Sequence, residues 1–181
     1  RAGSLPMAVT VLGGCVLAAT TLACGGNMNR PELPTGEVDA DRLLWERGTT
    51  ALEEGDWRRA REYFVQIRDR YPQSEFRPGA RLSIGDTYEG EGTAGSYVQA
   101  IGEYQDFLSL FPIHARAAYA QYKLGLVHFH QMRRAERDQT ETMDAIREFE
   151  TFITLYPTDA LLPEARARLR EARDRLTAHD F

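Results

Sequence analysis

Few side chains in this 181-residue sequence have the types and spacing that catalysis or metal binding requires. The four histidines are His114, His128, His130 and His179. His128 and His130 are two residues apart on a predicted helix, so their rings point in different directions and do not ligate one metal ion together. We expect His128 to pack in the core and His130 to lie at the surface. Since the sequence also has no P-loop, nucleophile elbow or HExxH motif, it predicts a non-enzymatic protein without metal or cofactor.

Charged side chains occur in pairs and short clusters that predict a solvated surface. Glu53–Glu54, Glu89 and Glu91 fall in predicted helix ends and loops. The arginine groups Arg58–Arg59 and Arg133, Arg134 and Arg137 could bind phosphate, but the Asp and Glu residues among them favour an ordinary helix surface. The net charge of −5 argues against nucleic acid binding, which needs an excess of positive charge.

Both cysteines lie in the first 24 residues, which excludes a thiolate metal site, a disulfide and a cysteine nucleophile in the rest of the chain. The segment LPMAVTVLGGCVLAATTLAC, residues 5–24, has no charge and follows Arg1, which is typical of a secretory signal. Its end, Leu22-Ala23-Cys24-Gly25-Gly26, resembles a bacterial lipobox. Cys24 is the favoured lipidation site, Cys15 is the alternative, and a plain signal peptide or a membrane helix stays open.

These features predict three segments. Residues 1–23 are a signal peptide, residues 24–37 are a flexible Gly- and Pro-containing tether after a lipidated Cys24, and residues 38–181 are the folded domain. The lipobox resemblance implies a lipid-anchored protein exposed to the periplasm. Gly25 stands where inner-membrane lipoproteins often have aspartate, which implies the outer membrane.

The folded domain contains one pattern in three copies. Each copy has an alanine 12 residues before a proline, an aromatic 8 before it, an aromatic directly before it, and an alanine 8 after it. In the same order, the copies are Ala60, Phe64, Tyr71–Pro72 and Ala80; Ala100, Tyr104, Phe111–Pro112 and Ala120; and Ala145, Phe149, Tyr156–Pro157 and Ala165. A glycine precedes each copy: Gly48, Gly85 and Gly125.

This spacing predicts helix-turn-helix repeats, because small residues let two antiparallel helices approach, an aromatic fills the space beside them, and proline ends the pair. The arrangement resembles the tetratricopeptide repeat. The predicted helices are 39–54, 57–71, 75–90, 96–111, 114–133, 140–156 and 160–178. The fold prediction is all-α, a tetratricopeptide-repeat superhelix of about three helix pairs (39–72, 75–112 and 114–157) plus a terminal helix in a partial repeat, 160–181, that caps the array.

Such arrays bind other chains along the groove lined by the first helix of each pair. Counted from the glycine of each copy, the predicted groove residues are Arg42, Trp45, Thr49 and Leu52 in the first copy and Tyr119, Tyr122, Leu126 and Phe129 in the third. Aromatic side chains near arginine suit peptide capture. For Tyr122 and Leu126, packing between neighbouring repeats is an equal alternative.

The lipobox, the tether and the repeats together resemble the BamD family of the outer-membrane β-barrel assembly machinery. The resemblance extends over about residues 20–181 and is most specific in FPIH, residues 111–114, in AYAQYKLGL, residues 118–126, and in AIREF, residues 145–149. It implies a scaffold lipoprotein that binds the POTRA domains of the barrel-forming subunit, other assembly lipoproteins and unfolded outer-membrane proteins, whose aromatic C-terminal segment is held by the early repeats. Family members usually have five repeats, so the sequence is expected to be a fragment or a short relative.

The alternative is another periplasmic repeat adaptor, of the type that coordinates Tol-Pal with cell division. Those proteins usually have an N-terminal coiled coil and no lipobox. Since the sequence contains no heptad pattern, the assembly scaffold is the favoured function.

Overall fold

A computed structural model describes residues 39–132 and 138–179, and its helices follow the sequence repeat. They are α1 (Ala40–Glu53), α2 (Trp57–Arg70), α3 (Arg77–Glu91), α4 (Ala94–Leu110), α5 (Ala117–Met132), α6 (Thr140–Leu155) and α7 (Leu162–His179). These residues contain no strand. Each helix packs on the next along the chain, as in a tetratricopeptide-like superhelix. The all-α repeat prediction is therefore confirmed.

The repeat glycines set the spacing within each helix pair. A Cβ atom added to Gly48 would lie 2.6 Å from the ring of Phe64, and one added to Gly85 would lie 2.6 Å from the ring of Tyr104. Gly125 faces Phe149 in the same way, at 2.9 Å. Because such distances are shorter than carbon atoms tolerate, each of these positions needs glycine. The small-to-aromatic contact predicted from the spacing is present in all three pairs.

The turns inside the pairs end one helix and start the next. Gly55 after α1 and Gly92 after α3 have φ values of 74° and 64°, where a side chain would be strained. The Asp56 carboxylate accepts a hydrogen bond from the Arg59 amide at 3.1 Å, which caps α2. At the start of α4, the Thr93 hydroxyl accepts from the Ser96 amide and the Ser96 hydroxyl accepts from the Thr93 amide.

The turns between the pairs share one arrangement that the sequence prediction missed. Two residues after each proline, a side chain accepts a hydrogen bond from a backbone amide two residues further on. The acceptors are the Ser74 hydroxyl, His114 Nδ1 and the Asp159 carboxylate, at 3.1, 3.0 and 2.8 Å. Because this turn uses the residues after proline, α3, α5 and α7 begin at 77, 117 and 162, two or three residues later than predicted.

Side chains from neighbouring pairs form core clusters along the array. One cluster joins α3, α4 and α5 through residues such as Leu82, Phe107 and Val127. A second joins α5, α6 and α7. In α7, Ala165, Leu169 and Ala172 are buried in that second cluster, so this helix covers the third pair as the capping prediction requires.

All seven helices lie in one compact unit, residues 34–181. The predicted boundaries of the signal peptide and of the tether, together with Cys15 and Cys24, lie outside the described residues. They stay predictions.

Candidate functional site

The sequence predicts a groove along the first helices of the pairs, which are α1, α3 and α5, and along α7. We call it the first-helix face. Relative to the repeat glycine, the predicted groove residues occupy positions −6, −3, +1 and +4. The same count in the second copy, which the sequence prediction left out, gives Gly79, Leu82, Asp86 and Glu89.

In the first copy, the predicted groove residues lie at the junction of α1 with α3. Arg42 is exposed, and its guanidinium lies 5.9 Å from the centre of the Phe76 ring. Trp45 stacks on the same ring at 5.6 Å and leaves no room for a side chain at Gly79, so it is half-buried. Thr49 and Leu52 are also half-buried. Arg42 is therefore the residue of this set that is freely accessible.

In the third copy, two of the four predicted residues belong to the core. Tyr122 is 4% exposed and Phe129 is 1% exposed, and both pack against Phe149. The guanidinium groups of two α7 arginines, Arg168 and Arg175, lie over the Phe129 ring at 5.3 and 5.6 Å. For Tyr122, the structure therefore favours packing between repeats, and Phe129 is covered rather than open, because α7 lies on both side chains.

The other two predicted residues of the third copy are half-buried. Leu126 packs at the border of the core cluster of α5, α6 and α7. Two cationic groups lie close to the Tyr119 ring, with Arg116 at 4.7 Å and Lys123 at 5.6 Å from its centre. Its hydroxyl donates a hydrogen bond to the Asp86 carboxylate at 3.0 Å. Peptide binding by any residue of this set stays a prediction.

Tyr119 belongs to a network of polar side chains between the second and third pairs, which we call the polar network. It consists of Asp86 and Glu89 from α3, Tyr104 from α4, and Tyr119 and Lys123 from α5. The Tyr104 hydroxyl lies 2.8 Å from Asp86 Oδ1 and 2.9 Å from Glu89 Oε2. Lys123, the single lysine of the sequence, forms an ion pair with Glu89.

The prediction of a solvated surface was wrong for Glu89, whose side chain is 9% exposed. The stacking of α5 on α3 covers it and supplies the compensating ammonium group of Lys123. Glu91 forms an ion pair with Arg61 and is exposed, as are Glu53 and Glu54. Neighbouring carboxylates thus have different environments, because only one side of α3 faces the next repeat.

Burial perturbs the ionisation of the polar network. Loss of solvent raises the pKa of the Asp86 carboxyl above its usual range, although Lys123 and the two tyrosine hydroxyls oppose this effect. Burial and the neighbouring Asp86 and Glu89 carboxylates raise the pKa of Tyr104 well above that of a free phenol. The burial and the two carboxylates therefore keep the proton on the Tyr104 hydroxyl, whose single O–H group donates to one of the two carboxylates at a time. The geometry therefore supports a fixed hydrogen-bonded joint between repeats.

The two histidines of α5 diverge as predicted. His128 is 6% exposed, and its Nδ1 atom lies 2.7 Å from the Glu141 carboxylate of α6. His130 is on another side of the helix, is partly exposed, and has Nδ1 4.0 Å from Glu89. In residues 39–132 and 138–179, no three His, Cys, Asp or Glu side chains come together as metal ligands.

The predicted arginine groups have different positions. Arg58 and Arg59 are exposed on α2, as expected for a helix surface. The group of Arg133, Arg134 and Arg137 lies outside the described residues. Within the described part of the chain, no helix is long and apolar enough to span a bilayer.

The sequence did contain a signal for the polar network. In the +1 and +4 positions, the first copy has Thr49 and Leu52 and the third has Leu126 and Phe129, whereas the second has two carboxylates. Carboxylates in positions that face the next repeat require a buried partner. The lone lysine of the sequence, on the following first helix, is the cation that pairs with Glu89.

Comparison with known proteins supports the family resemblance seen in the sequence. Residues 38–181 match the YfiO family, described as "Outer membrane lipoprotein". The chain is 30% identical to the "Outer membrane protein assembly factor BamD" of Caulobacter vibrioides over 174 residues, which cover 96% of this chain and 55% of that protein. It is 26% identical to the protein of the same name from Haemophilus influenzae, over 92% of this chain and 65% of the relative.

The chain thus spans between about half and two thirds of the length of these two relatives. The family match nevertheless covers every described helix. It agrees with the resemblance carried by the repeats and by the segments around residues 111–126. This chain belongs to the YfiO/BamD family of outer membrane lipoproteins.

Proposed function

We propose that this chain is a non-enzymatic scaffold lipoprotein that takes part in assembling β-barrel proteins in the outer membrane. The observation that carries the proposal is its similarity, over nearly the whole chain, to a relative named as an outer membrane protein assembly factor. The fold supports this role, because stacked helix pairs offer an extended binding surface. The ionisable groups of the polar network already bind one another, which favours a structural use over catalysis.

In this proposal, residues 1–23 direct export and residues 24–37 connect a lipidated Cys24 to the repeat domain. Cys15 is the alternative lipidation site. The anchor holds the repeat domain, residues 38–181, on the periplasmic side of the outer membrane. Mass spectrometry of the mature N-terminus tests this assignment, and an unmodified Cys24 would contradict it.

The proposed partners are the barrel-forming subunit, through its POTRA domains, other assembly lipoproteins, and unfolded outer-membrane proteins. Affinity purification of the full-length gene product from its own membranes, followed by mass spectrometry, tests this list. Recovery of the barrel-forming subunit is the expected result. Recovery of Tol-Pal and cell-division proteins in its place would favour the alternative adaptor function.

For the unfolded substrates, we propose that the first-helix face holds a segment that ends in an aromatic residue. Arg42 is exposed and Leu126 and Tyr119 are partly exposed, so these three can touch a peptide. Tyr122 and Phe129 are buried against α6 and α7 and keep α5 in place. Arg42 would attract the terminal carboxylate of such a segment, and the other two would contact its apolar side chains.

A peptide-binding assay can separate contact from support. A combined Arg42→Ala and Leu126→Ser substitution should weaken binding of a fluorescent peptide with an aromatic C-terminus by about tenfold or more in fluorescence anisotropy. Val98→Ser, which changes an exposed side chain on α4, is the matched control and should leave the affinity unchanged. Equal affinity for both variants and the unchanged protein would contradict the proposal.

A further inference from the structure

The junction of α5 with α7 contains two buried polar atoms that lack a hydrogen-bond partner among the described residues. They are the hydroxyl of Tyr122 on α5 and the Nε atom of Arg168 on α7. Tyr122 is 4% exposed, and its ring packs against Phe149 and Phe152 of α6, with 6.0 Å between ring centres in both cases. Buried polar groups in folded proteins are nearly always paired, because their lost hydration otherwise goes uncompensated. The two atoms therefore mark a position suited to an oxygen acceptor.

The Arg168 guanidinium is short of acceptors although two carboxylates are near. Its Nη2 atom lies 3.7 Å from Glu164 and its Nη1 atom 3.6 Å from Glu171, and both distances are longer than a hydrogen bond. Arg175, seven residues further along α7, also lies over the Phe129 ring, but its Nη2 atom donates a hydrogen bond to Glu171 at 2.8 Å. Of the two guanidinium groups over this ring, that of Arg168 therefore retains more of its capacity to bind an anion.

Glu164 lies beside this position but holds it loosely. Burial raises the pKa of the Tyr122 hydroxyl, the Glu164 carboxylate raises this pKa further, and the Arg168 guanidinium opposes the rise. The hydroxyl therefore keeps its proton and is available as a donor. The Glu164 side chain is 50% exposed, so solvent can receive its charge when another carboxylate takes the position.

We propose that Tyr122 and Arg168 bind a carboxylate group of a polypeptide that lies on the first-helix face, and that Glu164 occupies this position when the polypeptide is absent. This inference rests on the proposed peptide-binding function. The hydroxyl supplies one donor and the planar guanidinium supplies two parallel donors, which suits the two oxygen atoms of a carboxylate. Leu126, one helical turn from Tyr122, is partly exposed and adds an apolar contact beside that group. An acidic side chain and a free chain end share this chemistry.

NMR of the arginine Nε–H groups tests the site without a peptide. The full chain is titrated with sodium acetate, with sodium chloride as the control for ionic strength, and the signal lost in Arg168→Lys identifies Arg168. Acetate should shift this signal saturably. Half-saturation should need at least about fivefold less acetate in Glu164→Gln, because the competing charge is gone, and at least about fivefold more in Tyr122→Phe, which lacks the hydroxyl donor.

The two substitutions have opposite expected signs, which a purely structural role does not produce. Arg170→Lys, the same change at an exposed position of α7, is the matched control and should leave the titration of the Arg168 signal unchanged. Circular dichroism checks that each variant is folded. An equal shift with chloride, the lack of a saturable shift, or an unchanged or higher acetate requirement in Glu164→Gln would overturn the proposal.

Peptides decide which carboxylate is bound and separate this inference from the proposed function. A fluorescent peptide with an aromatic C-terminus is compared in three forms: with a free C-terminal carboxylate, with a C-terminal amide, and as the amide with one interior glutamine replaced in turn by glutamate. The form that binds at least about fivefold more tightly than the plain amide, and loses this gain with Arg168→Lys, identifies the source.

The other outcomes are equally distinct. If acetate binds at Arg168 but no peptide binds, the carboxylate site is supported and the peptide-binding function fails. If peptides bind with equal affinity in all three forms, the peptide-binding function holds and a polypeptide carboxylate at Arg168 is rejected.

Discussion

The junction between the second and third pairs and the junction between the third pair and α7 use the same positions with different chemistry. At the +4 position, the second copy has Glu89 and the third has Phe129. In each case two cationic or potentially cationic side chains of the following first helix approach it, Lys123 and His130 in one junction and Arg168 and Arg175 in the other. The geometry is shared, whereas the partner is a carboxylate in one junction and an aromatic ring in the other.

This difference separates two contributions to a repeat array. The Phe129 junction removes a large apolar side chain from water, which stabilises the fold directly. The Glu89 junction desolvates charges, and its attraction mainly offsets that cost. We therefore expect the junction at α7 to supply stability and the polar network to fix how the second and third pairs fit together.

The largest effect on stability should come from removing the aromatic side chain at the +4 position of the third copy. Phe129→Ala removes a ring that is 1% exposed and should lower the free energy of unfolding by about 3–5 kcal/mol, from lost burial and the cavity that remains. Urea unfolding followed by circular dichroism measures this. Ile113→Ala, at a 98% exposed position, is the control and should change stability by less than about 0.5 kcal/mol. A loss under about 1 kcal/mol for Phe129→Ala would contradict the claim that the junction with α7 stabilises the fold through burial of this ring.

Breaking the ion pair should have the next largest effect. Lys123→Met leaves Glu89 largely buried without its lysine partner and should cost about 2–4 kcal/mol of unfolding free energy. Adding Glu89→Leu, the residue type that the first copy has at Leu52, should restore most of that loss, because an apolar pair needs no desolvation of charge. If the double variant is as unstable as the single one, the ion pair is itself the source of stability and our comparison does not hold.

A smaller effect, visible in its pH dependence, is expected at Asp86. Burial raises the pKa of Asp86 in the folded state. At pH values between the usual carboxyl pKa and this raised pKa, the folded state therefore binds more protons than the unfolded state. The unchanged protein therefore loses stability from this group as pH rises through that window, while Asp86→Asn does not.

The stability difference between Asp86→Asn and the unchanged protein should thus shift in favour of the variant from pH 4 towards neutral pH. Urea unfolding at several pH values measures it, and Glu54→Gln controls for the loss of one negative charge at an exposed position. A constant difference at all pH values would show that Asp86 is not desolvated.

The smallest effect should come from an exposed ion pair beside the apolar junction. Arg173 of α7 pairs with Glu150 of α6, and both side chains are about half exposed. Arg173→Ala should lower the free energy of unfolding by no more than about 0.5 kcal/mol, because solvent screens such pairs. A loss of more than about 1.5 kcal/mol in urea unfolding would mean that charge, and not apolar burial, holds α7 in place.

Most of the fold could be predicted because it depends on spacing along the chain. The predicted helices begin and end within three residues of the observed ones. Apart from the start of α4, which is two residues earlier than predicted, the largest differences are at the starts of α3, α5 and α7, where Ser74, His114 and Asp159 make the same turn. These three residue types share only a side-chain acceptor, so a comparison of residue identities did not reveal the common position.

The candidate surface was less predictable. The count from the repeat glycines identified which residues face the neighbouring repeat, but Tyr122 and Phe129 are covered by that neighbour while Arg42 is not. Whether such a residue is buried depends on the length and side chains of the helix that lies over it. That information is in a distant part of the sequence.

The sequence by itself determined that this protein is a stack of helix pairs, since glycine, alanine, aromatic residues and proline at fixed separations allow close helix packing in one periodic way. It also determined the family, through motifs that are local in the chain. Only the tertiary structure decided that Glu89 is buried with Lys123, that Phe129 is sheltered by Arg168 and Arg175, and that Ile113 is open. The reason is that burial and ion pairing depend on contacts between residues about 35 to 45 positions apart, which a local pattern does not specify.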